Sequence, residues 1–327
     1  MTTMTILDAI RTTLAEEMAR DPRVMVLGED VGRLGGVFRA TDGLLQRFGD
    51  DRVIDTPLAE GAIIGSALGL AISGMRPVAE LQFLGFGAQA FHQLTQQLAR
   101  YRFRSQGRFA PAVTVRAPFG GGVRTPELHS DALEALYVQS PGLKVVAPAT
   151  PADAKGLLAQ AIRDEDPVLY LEPLKGYRLV KGEVPDGEHL VEFGRVRVAR
   201  PGDDVTLVAW SAAVQLAELA AAELADEGIS VRVVDLRSLV PLDIDGLVEN
   251  VIATGRCVVV HEAPLSAGFG AEVVATVQDE AFYDLEAPIA RVTSPDVPYP
   301  VPGVEHLYLP NVERVKAAVR RTVGAPS

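Results

Sequence analysis

RVIDTPLAEGAIIGSALGLAISGMRPVAELQF, at Arg52–Phe83, is the stretch of this chain that decides its fold. Its middle, GAIIGSALGLAISG, is apolar on every side, which predicts a buried helix. RPVAELQF, directly after it, predicts a strand. A helix that feeds straight into a strand is typical of parallel sheets, because parallel strands need crossover connections. The stretch therefore predicts an α/β fold.

The same alternation continues on both sides of this stretch. RVMVLGE at residues 23–29 predicts a strand before it, and PVLYLEP at 167–173 predicts a strand after it. TPADAKGLLAQAIRD at 150–164 predicts a helix with Thr150 as its N-cap and proline at the first position. AQAFHQLTQQLARYRF at 88–103 predicts one continuous helix. These elements extend the α/β pattern along the first half of the chain.

A break in the pattern divides the chain. Glycine, proline and charged residues are frequent between about residues 172 and 202, which predicts a linker with an edge hairpin. The alternation then restarts and ends in a predicted helix at 311–323. We therefore predict the fold class α/β, with two doubly wound domains at residues 1–190 and 191–327.

Composition excludes several classes of protein. Of the 327 residues, 48% are hydrophobic and 23% are charged, which is typical of a globular protein with a large core. No apolar run reaches the roughly 18 to 20 residues that a membrane span needs. The first 22 residues predict an amphipathic helix rather than a signal peptide, so we expect a cytoplasmic protein. The net charge of −12 argues against nucleic acid as the main partner and permits a basic protein partner.

Several apparent motifs have ordinary structural explanations. GFGAQA at 85–90 and GFGAEV at 268–273 lack the context of a dinucleotide fingerprint, which favours glycines that serve packing. FGGGV at 119–123 has no following Lys-Ser/Thr, so it is not a phosphate-binding P-loop. None of the five histidines has a partner at metal-site spacing. The single cysteine, Cys257, lies in CVVV, which predicts a buried structural thiol.

Three segments carry residues suited to chemistry. Glu60 ends DTPLAE and falls in the first turn of a helix, where a carboxylate also complements the helix dipole. His129 follows the glycine-rich loop, a position that suits acid–base work or a solvent-facing residue. Glu29 and Asp30 lie at the C-terminal end of the first strand, the sheet edge where ligands of parallel sheets gather.

Taken together, the motifs resemble one family over essentially the whole chain. They are LGEDVG, then the opening stretch, then ARYRFRSQG, LHSD, SPGLKVVAPATPADAKGLL, HEAPLSAGFGAEV and LEAPIARVT, in this order. This pattern resembles the β subunit of the E1 component of 2-oxo acid dehydrogenases, which depends on thiamine diphosphate. The resemblance implies a pyrimidine-binding domain followed by a transketolase C-terminal-like domain.

The resemblance also implies a missing partner. In this family the α subunit holds the cofactor's diphosphate and its Mg²⁺ through a GDG…NN motif. FGDDRV and PGDDVT come nearest to that motif here, and neither matches it. The family therefore implies an α₂β₂ heterotetramer, and it implies that this chain alone binds thiamine diphosphate poorly.

The resemblance assigns roles to individual residues. Glu60 matches the glutamate whose carboxyl group bonds to N1′ of the cofactor's aminopyrimidine and helps the cofactor lose its C2 proton. Phe86 matches the aromatic residue that stacks on the pyrimidine. Leu58 and Gln89 are expected to line the same pocket. Glu29 matches an acidic residue near the pyrimidine edge.

His129 matches the active-site histidine of the family, expected beside the substrate carboxylate or the lipoyl group. The family sequence there is His-Ser-Gln, whereas this chain has His-Ser-Asp. Asp131 therefore places an additional negative charge near an anionic substrate.

Two further sets of residues match family positions. Backbone carbonyls are expected to bind K⁺ at these positions: Val113, Ala161, Asp164 and Asp166. A basic cluster, defined as Arg100, Arg102, Arg104 and Arg108, complements a helix C-terminus and by resemblance faces the α subunit.

The reaction implied is oxidative decarboxylation of a 2-oxo acid, with transfer of the acyl group to the lipoyl domain of the E2 acyltransferase. HEAPLSAGFGAEV and LYLEP favour a branched-chain substrate, and pyruvate and acetoin remain alternatives. The acidic C-terminal domain is expected to meet the basic peripheral-subunit-binding domain of E2. Half of a split transketolase and a non-catalytic assembly subunit are the competing hypotheses.

Overall fold

A computed structural model of the chain describes residues 1–324. The last three residues of the predicted second domain, 325–327, lie outside the described residues. The strands are β1 (Thr2–Thr5), β2 (Val24–Gly28), β3 (Val53–Asp55), β4 (Arg76–Glu80), β5 (Thr114–Phe119), β6 (Lys144–Val146), β7 (Val168–Pro173), β8 (Lys181–Val184), β9 (Arg197–Arg200), β10 (Val205–Ala209), β11 (Val231–Asp235), β12 (Ser238–Val240), β13 (Cys257–Pro264) and β14 (Ala290–Ser294).

The helices alternate with these strands. They are α1 (Ile6–Arg20), α2 (Leu44–Phe48), α3 (Glu60–Ile72), α4 (Tyr101–Arg104), α5 (Ala135–Val138), α6 (Pro151–Arg163), α7 (Gly176–Leu179), α8 (Ala212–Ala225), α9 (Ile244–Ile252), α10 (Gly270–Ala281), α11 (Glu305–Tyr308) and α12 (Val312–Val323). Short 3₁₀ turns cover Leu84–Ala90, Glu127–His129, Phe282–Asp284 and Pro302–Val304. No helix within residues 1–324 has the length and apolarity that crossing a membrane requires.

The strands form two mainly parallel sheets. The first has seven strands in the order β12-β6-β7-β5-β4-β2-β3, and the second has five in the order β14-β13-β10-β11-β9. Within the first sheet only β12 runs antiparallel to its neighbour, and within the second only β9 does. Helices α1 and α6 cover one face of the first sheet and α3 covers the other. The predicted α/β class with doubly wound domains is therefore confirmed.

The apolar strands and capped helices follow from the sequence. All five residues of β2, VMVLG, are buried, as expected for a parallel strand covered on both faces. Helix α6 begins as predicted, because the Thr150 side chain accepts a hydrogen bond from the Asp153 N–H at 3.1 Å and Pro151 occupies the first turn. These local signals position the strand ends around which the site is built.

The prediction of one helix over residues 88–103 was wrong. A 3₁₀ turn ends at Ala90, a π-helix covers His92–Leu98, and α4 starts only at Tyr101. The Ala99 N–H bonds to the Leu94 carbonyl, five residues earlier, so the turn accommodates an additional residue. π-turns often occur at functional sites. The irregular segment therefore indicates that the region next to Phe86 is a candidate functional site.

Two predictions near the chain ends of the first domain were also wrong. The first five residues do not join helix α1. They form β1, which pairs antiparallel with β8, while Thr5 caps the helix by accepting from the Asp8 N–H at 3.1 Å. There is also no hairpin between residues 172 and 202, because β8 pairs with β1 and β9 pairs with β11.

A strand after the predicted boundary belongs to the first sheet. β12 pairs with β6, and the Ala147 N–H bonds to the Arg237 carbonyl at 2.8 Å. The apolar core on that side also continues from Val145 through Trp210 to Val259. The two halves are therefore packed together, and the division at residue 190 stays a prediction.

Candidate active site

Glu60 lies where the sheet edge meets the start of helix α3. Strand β3 ends at Asp55, and the helix begins at Glu60 itself, without a side-chain cap from Ala59. The Glu60 side chain is only 8% exposed and forms no hydrogen bond or ion pair with any of residues 1–324. The rest of the side chain is enclosed, whereas the carboxyl oxygens still reach the surface, so they are open to an external partner such as the N1′ atom of a bound pyrimidine.

Glu29 shares this sheet edge with Glu60. It follows β2, the parallel neighbour of β3. Asp55 fixes the loop after Glu29, because its carboxylate accepts from the Gly32 N–H at 2.6 Å and the Arg33 N–H at 3.0 Å. Burial, followed by the charges of Asp30 and Glu60, raises the pKa of the Glu29 carboxyl group. The structure therefore brings two acidic groups to one edge.

An aromatic cluster carries His129. The rings of Phe83 and Phe86 lie edge to face, with centroids 5.8 Å apart. The His129 imidazole packs against both, with centroids 4.4 Å from Phe83 and 5.0 Å from Phe86. Such edge-to-face contacts fix the ring orientation. The structure thus brings together Phe86 and His129, which lie 43 residues apart in the sequence.

The turn that holds His129 is tightly packed. Its backbone N–H bonds to the Pro126 carbonyl at 3.0 Å, and its Nδ1 atom is buried without a partner in residues 1–324. A Cβ atom at Gly85 would overlap the Leu128 carbonyl oxygen, so only glycine allows the two 3₁₀ turns to approach this closely. This nitrogen is therefore available to donate or accept one hydrogen bond.

Sequence reasoning missed the layer beneath this cluster. Phe38 contacts Phe83 at 5.4 Å and Tyr177 at 5.3 Å between ring centroids. The Tyr177 hydroxyl group donates to Glu172, and the buried Arg116 joins Glu172 to Glu80 through hydrogen bonds of 2.6 Å on each side. The sequence signal for this network was a charged residue in each of three otherwise apolar strands: Glu80 in β4, Arg116 in β5 and Glu172 in β7. This buried ion network supports the aromatic cluster from the sheet.

The remaining predicted pocket residues lie at the surface of this chain. Leu58 is 72% exposed, two residues before Glu60. Gln89 is exposed, and its carbonyl oxygen lies 3.2 Å from where a Cβ atom of Gly61 would be. The backbone of Gln89 is therefore next to the start of α3, whereas the Leu58 side chain faces outward.

Asp131 is half-buried beside the histidine turn. Its carbonyl oxygen accepts a weak hydrogen bond from the Gly120 N–H at 3.5 Å. Burial, followed by the charge of Glu127, raises the pKa of its carboxyl group. Burial therefore disfavours the additional negative charge that the sequence predicts at this position.

The positions expected to bind K⁺ lie at another edge of the sheet. The Val113 carbonyl accepts from the Val168 N–H at 3.0 Å, and the Asp164 carbonyl accepts from the Arg76 guanidinium group at 3.0 Å. Arg76 thus already supplies a positive charge there. We derive no role for K⁺ from this arrangement, and the site stays a prediction. Within residues 1–324, no three His, Cys, Asp or Glu side chains group as a metal site.

A small cavity lies between the two domains. It measures about 10 Å³, room for one water molecule, and the residues around it include Glu134, Trp210, Ser211 and Glu262. Trp210 Nε1 donates to Glu134 Oε1 at 3.2 Å, and Glu134 Oε2 has no partner within residues 1–324. Burial raises the pKa of Glu134 to about 7. The Cys257 thiol belongs to the same apolar core as Trp210 and is buried, which raises its pKa to about 12 and agrees with a structural role.

This buried carboxyl group predicts a pH-dependent stability. Its pKa rises from an ordinary 4.5 to about 7 on folding, so the folded state binds the proton more tightly. The resulting stability is complete below pH 4.5 and is lost as the pH rises through 7, at a cost of about 3 kcal/mol. We expect Glu134→Gln to raise the melting temperature by several degrees at pH 8 and much less at pH 5. Equal shifts at both pH values in thermal unfolding would contradict this assignment.

The fold and the site define a class of enzyme. Residues 2–178 match the model of the transketolase pyrimidine binding domain, and residues 194–315 match that of the transketolase C-terminal domain. The chain is therefore built like the pyrimidine-binding half of a thiamine-diphosphate enzyme.

Full-length relatives identify the family within this class. The pyruvate dehydrogenase E1 component subunit beta of Staphylococcus epidermidis is 52% identical over 323 residues, covering 98% of this chain and 99% of the relative. The protein of the same name from Bacillus subtilis is 50% identical and covers 99% of both chains. The chain belongs to the family of E1 β subunits of 2-oxo acid dehydrogenases.

A solved structure adds a comparison of shape. The inactive beta4 tetramer of a split-gene transketolase superposes with a TM-score of 0.81 and 27% sequence identity, covering 99% of each chain. In sequence, this chain is therefore less similar to the split transketolase than to the E1 β subunits.

Proposed function

We propose that this chain is the β subunit of a pyruvate dehydrogenase E1 and that Glu60 binds the pyrimidine end of thiamine diphosphate. The observation that carries the proposal is the Glu60 carboxyl group, which has no partner within residues 1–324 and lies at the start of α3, where the backbone of Gln89 approaches Gly61. Two relatives at 52% and 50% identity bear the name pyruvate dehydrogenase. The branched-chain preference favoured by sequence motifs has no such support, so we propose pyruvate as the substrate.

Each residue of the site has a distinct task in this mechanism. Bound thiamine diphosphate supplies a carbon nucleophile and an electron sink for decarboxylation. Glu60 would hold a proton at its carboxyl group opposite N1′, where a bound pyrimidine would displace water from that contact. Phe86 would support the face of the pyrimidine. The His129 imidazole, held by two phenylalanine rings, would hold or release a proton beside the substrate carboxylate or the lipoyl group.

A second subunit would complete the site. We propose an α subunit that holds the diphosphate and Mg²⁺, in an α₂β₂ heterotetramer. The exposed Leu58, next to Glu60, and Phe103, which is 89% exposed within the basic cluster, support a partner covering these surfaces. Arg102 of that cluster is paired with Asp166 at 2.5 Å and Arg104 donates to the neutral Gln97, so the charges of Arg100, Arg104 and Arg108 have no ion-pair partner within residues 1–324 and could meet the partner.

The E2 acyltransferase would be the next partner. Exposed carboxylates of the second domain that form no ion pair within residues 1–324, such as Asp226, Glu249 and Asp279, support contact with a basic peripheral-subunit-binding domain. The lipoyl domain would approach His129 to receive the acyl group. A cytoplasmic location and a bound K⁺ stay predictions.

Turnover of two substrates tests the proposed specificity. After reconstitution with the matching α subunit, we expect kcat/KM for pyruvate to exceed that for 2-oxoisovalerate by roughly tenfold or more, because a pocket that fits one methyl group discriminates against larger side chains. The α subunit alone is the control. A preference for 2-oxoisovalerate would restore the branched-chain hypothesis, and ketol transfer between sugar phosphates would favour the split transketolase.

A further inference from the structure

The glycine-rich loop that leads to His129 has an unusual backbone. Gly120 and Gly122 adopt left-handed conformations with φ of 82° and 91°, and Arg124 does so with φ of 61°. A Cβ atom at Gly121 would overlap the Tyr299 hydroxyl group. A non-glycine residue in this region is costly and persists only where its surroundings hold it, so something must hold the loop.

Two carboxylates from the second domain hold this loop. Glu262, in β13, accepts from the Gly121 N–H at 2.9 Å through Oε2. Glu305, at the start of α11, accepts through Oε1 from the Gly122 N–H at 2.9 Å and the Arg124 N–H at 3.2 Å. The same oxygen accepts from the Tyr299 hydroxyl group at 2.5 Å. Three backbone N–H groups of the loop, those of Gly121, Gly122 and Arg124, are therefore bound by side chains 141 to 183 residues away in sequence.

The held loop is directly coupled to the histidine turn. The Thr125 and Ser130 hydroxyl groups lie 2.7 Å apart in a hydrogen bond that spans His129, and Ser130 is 1% exposed. Arg124, whose N–H group bonds to Glu305, directly precedes Thr125 in this hydrogen bond. A displacement of Arg124 would therefore move the turn that carries the imidazole.

We propose that Glu305 and Glu262 are positioning residues that fix His129 from the second domain. The inference rests on the proposed role of His129. Hydrogen bonds from backbone N–H groups to a carboxylate are shorter and stronger than those to a neutral acceptor, which suits a loop in a strained conformation. Within residues 1–324 the Glu305 carboxylate bonds to Gly122, Arg124 and Tyr299, and no hydrogen bond joins it to Glu60 or His129, so we expect its effect to act through the loop.

A graded set of variants in the reconstituted α₂β₂ enzyme tests this inference. Glu305→Ala should lower kcat by roughly 10- to 100-fold, because a displacement of about 1 Å is sufficient to misalign a catalytic group. Glu305→Gln keeps an acceptor oxygen and should lose less, since a neutral acceptor forms a weaker bond. The Kd for thiamine diphosphate should stay unchanged in both variants. Glu280→Gln, an exposed carboxyl group of the same domain, is the matched control.

The decisive measurement is a double-variant cycle with His129→Ala. If Glu305 acts through His129, kcat of the double variant equals that of His129→Ala, whereas independent structural damage multiplies the two losses. Multiplied losses, or full kcat in Glu305→Ala, would overturn the inference. If Glu305→Ala fails to assemble, Glu305→Gln and Glu262→Gln are each combined with His129→Ala, and the same comparison of kcat values tests the inference. A normal kcat in His129→Ala alone would instead refute the role of His129 in the proposed function.

Discussion

Glu60→Gln is expected to lower 2-oxo acid decarboxylation by the reconstituted enzyme roughly 10³-fold, because a positioned proton-sharing carboxyl group contributes about 10² to 10⁴ in rate. Glutamine preserves the size of the side chain and removes its proton-sharing oxygen. Glu60 has no partner in residues 1–324 whose loss would disturb folding. Activity with an artificial electron acceptor, measured together with thermal unfolding, checks both parts of this expectation.

The control for this variant is Asp51→Asn, which neutralises an exposed carboxylate nine positions earlier in the sequence. It should retain full activity, since surface substitutions away from special features have small effects. Undiminished turnover in Glu60→Gln would refute the catalytic assignment and favour the hypothesis of a non-catalytic assembly subunit.

Gly85→Ala is expected to lower kcat by about 10²-fold, through displacement of His129. The added methyl group would overlap the Leu128 carbonyl oxygen, and a backbone atom cannot move aside as a flexible side chain can. The turn that carries His129 must therefore shift away from Phe86. Steady-state kinetics of the reconstituted enzyme would show the loss in kcat, and the melting temperature should fall because overpacking also destabilises the fold.

Gly303→Ala provides the matched glycine control, because nothing lies within 4 Å of a Cβ atom at that position. It should leave kcat unchanged. If Gly85→Ala turned over at the normal rate with the fold intact, the close packing of the two 3₁₀ turns would have no catalytic importance.

The sequence predicted correctly those helices and strands that depend mainly on their own residues. The apolar run predicted strand β2, and Thr150 predicted the start of helix α6, without any knowledge of tertiary contacts. The π-helix after Phe91 and the strand β12 were missed, because a helix with an additional residue and a three-residue edge strand depend on what they pack against. The pattern of residues alone does not contain that information.

Some residues of the candidate site were also predicted from the sequence, and others were missed. Resemblance assigned Glu60, Phe86 and His129, and the structure brings Phe86 and His129 into contact. Their roles stay predictions until tested. Phe83 was missed because a phenylalanine after an apolar strand is indistinguishable from core residues. Glu305 was missed because its hydrogen bonds connect segments 181 to 183 residues apart.

The central claim is that this chain contains half of a thiamine-diphosphate site. Titration of the purified chain with its α subunit tests it most directly, with pyruvate decarboxylation as the readout. We predict negligible activity from the chain alone, a rise that saturates at a one-to-one ratio of subunits, and no rise when Glu60→Gln replaces the native chain. Thiamine-diphosphate-dependent turnover by the chain alone would contradict the account.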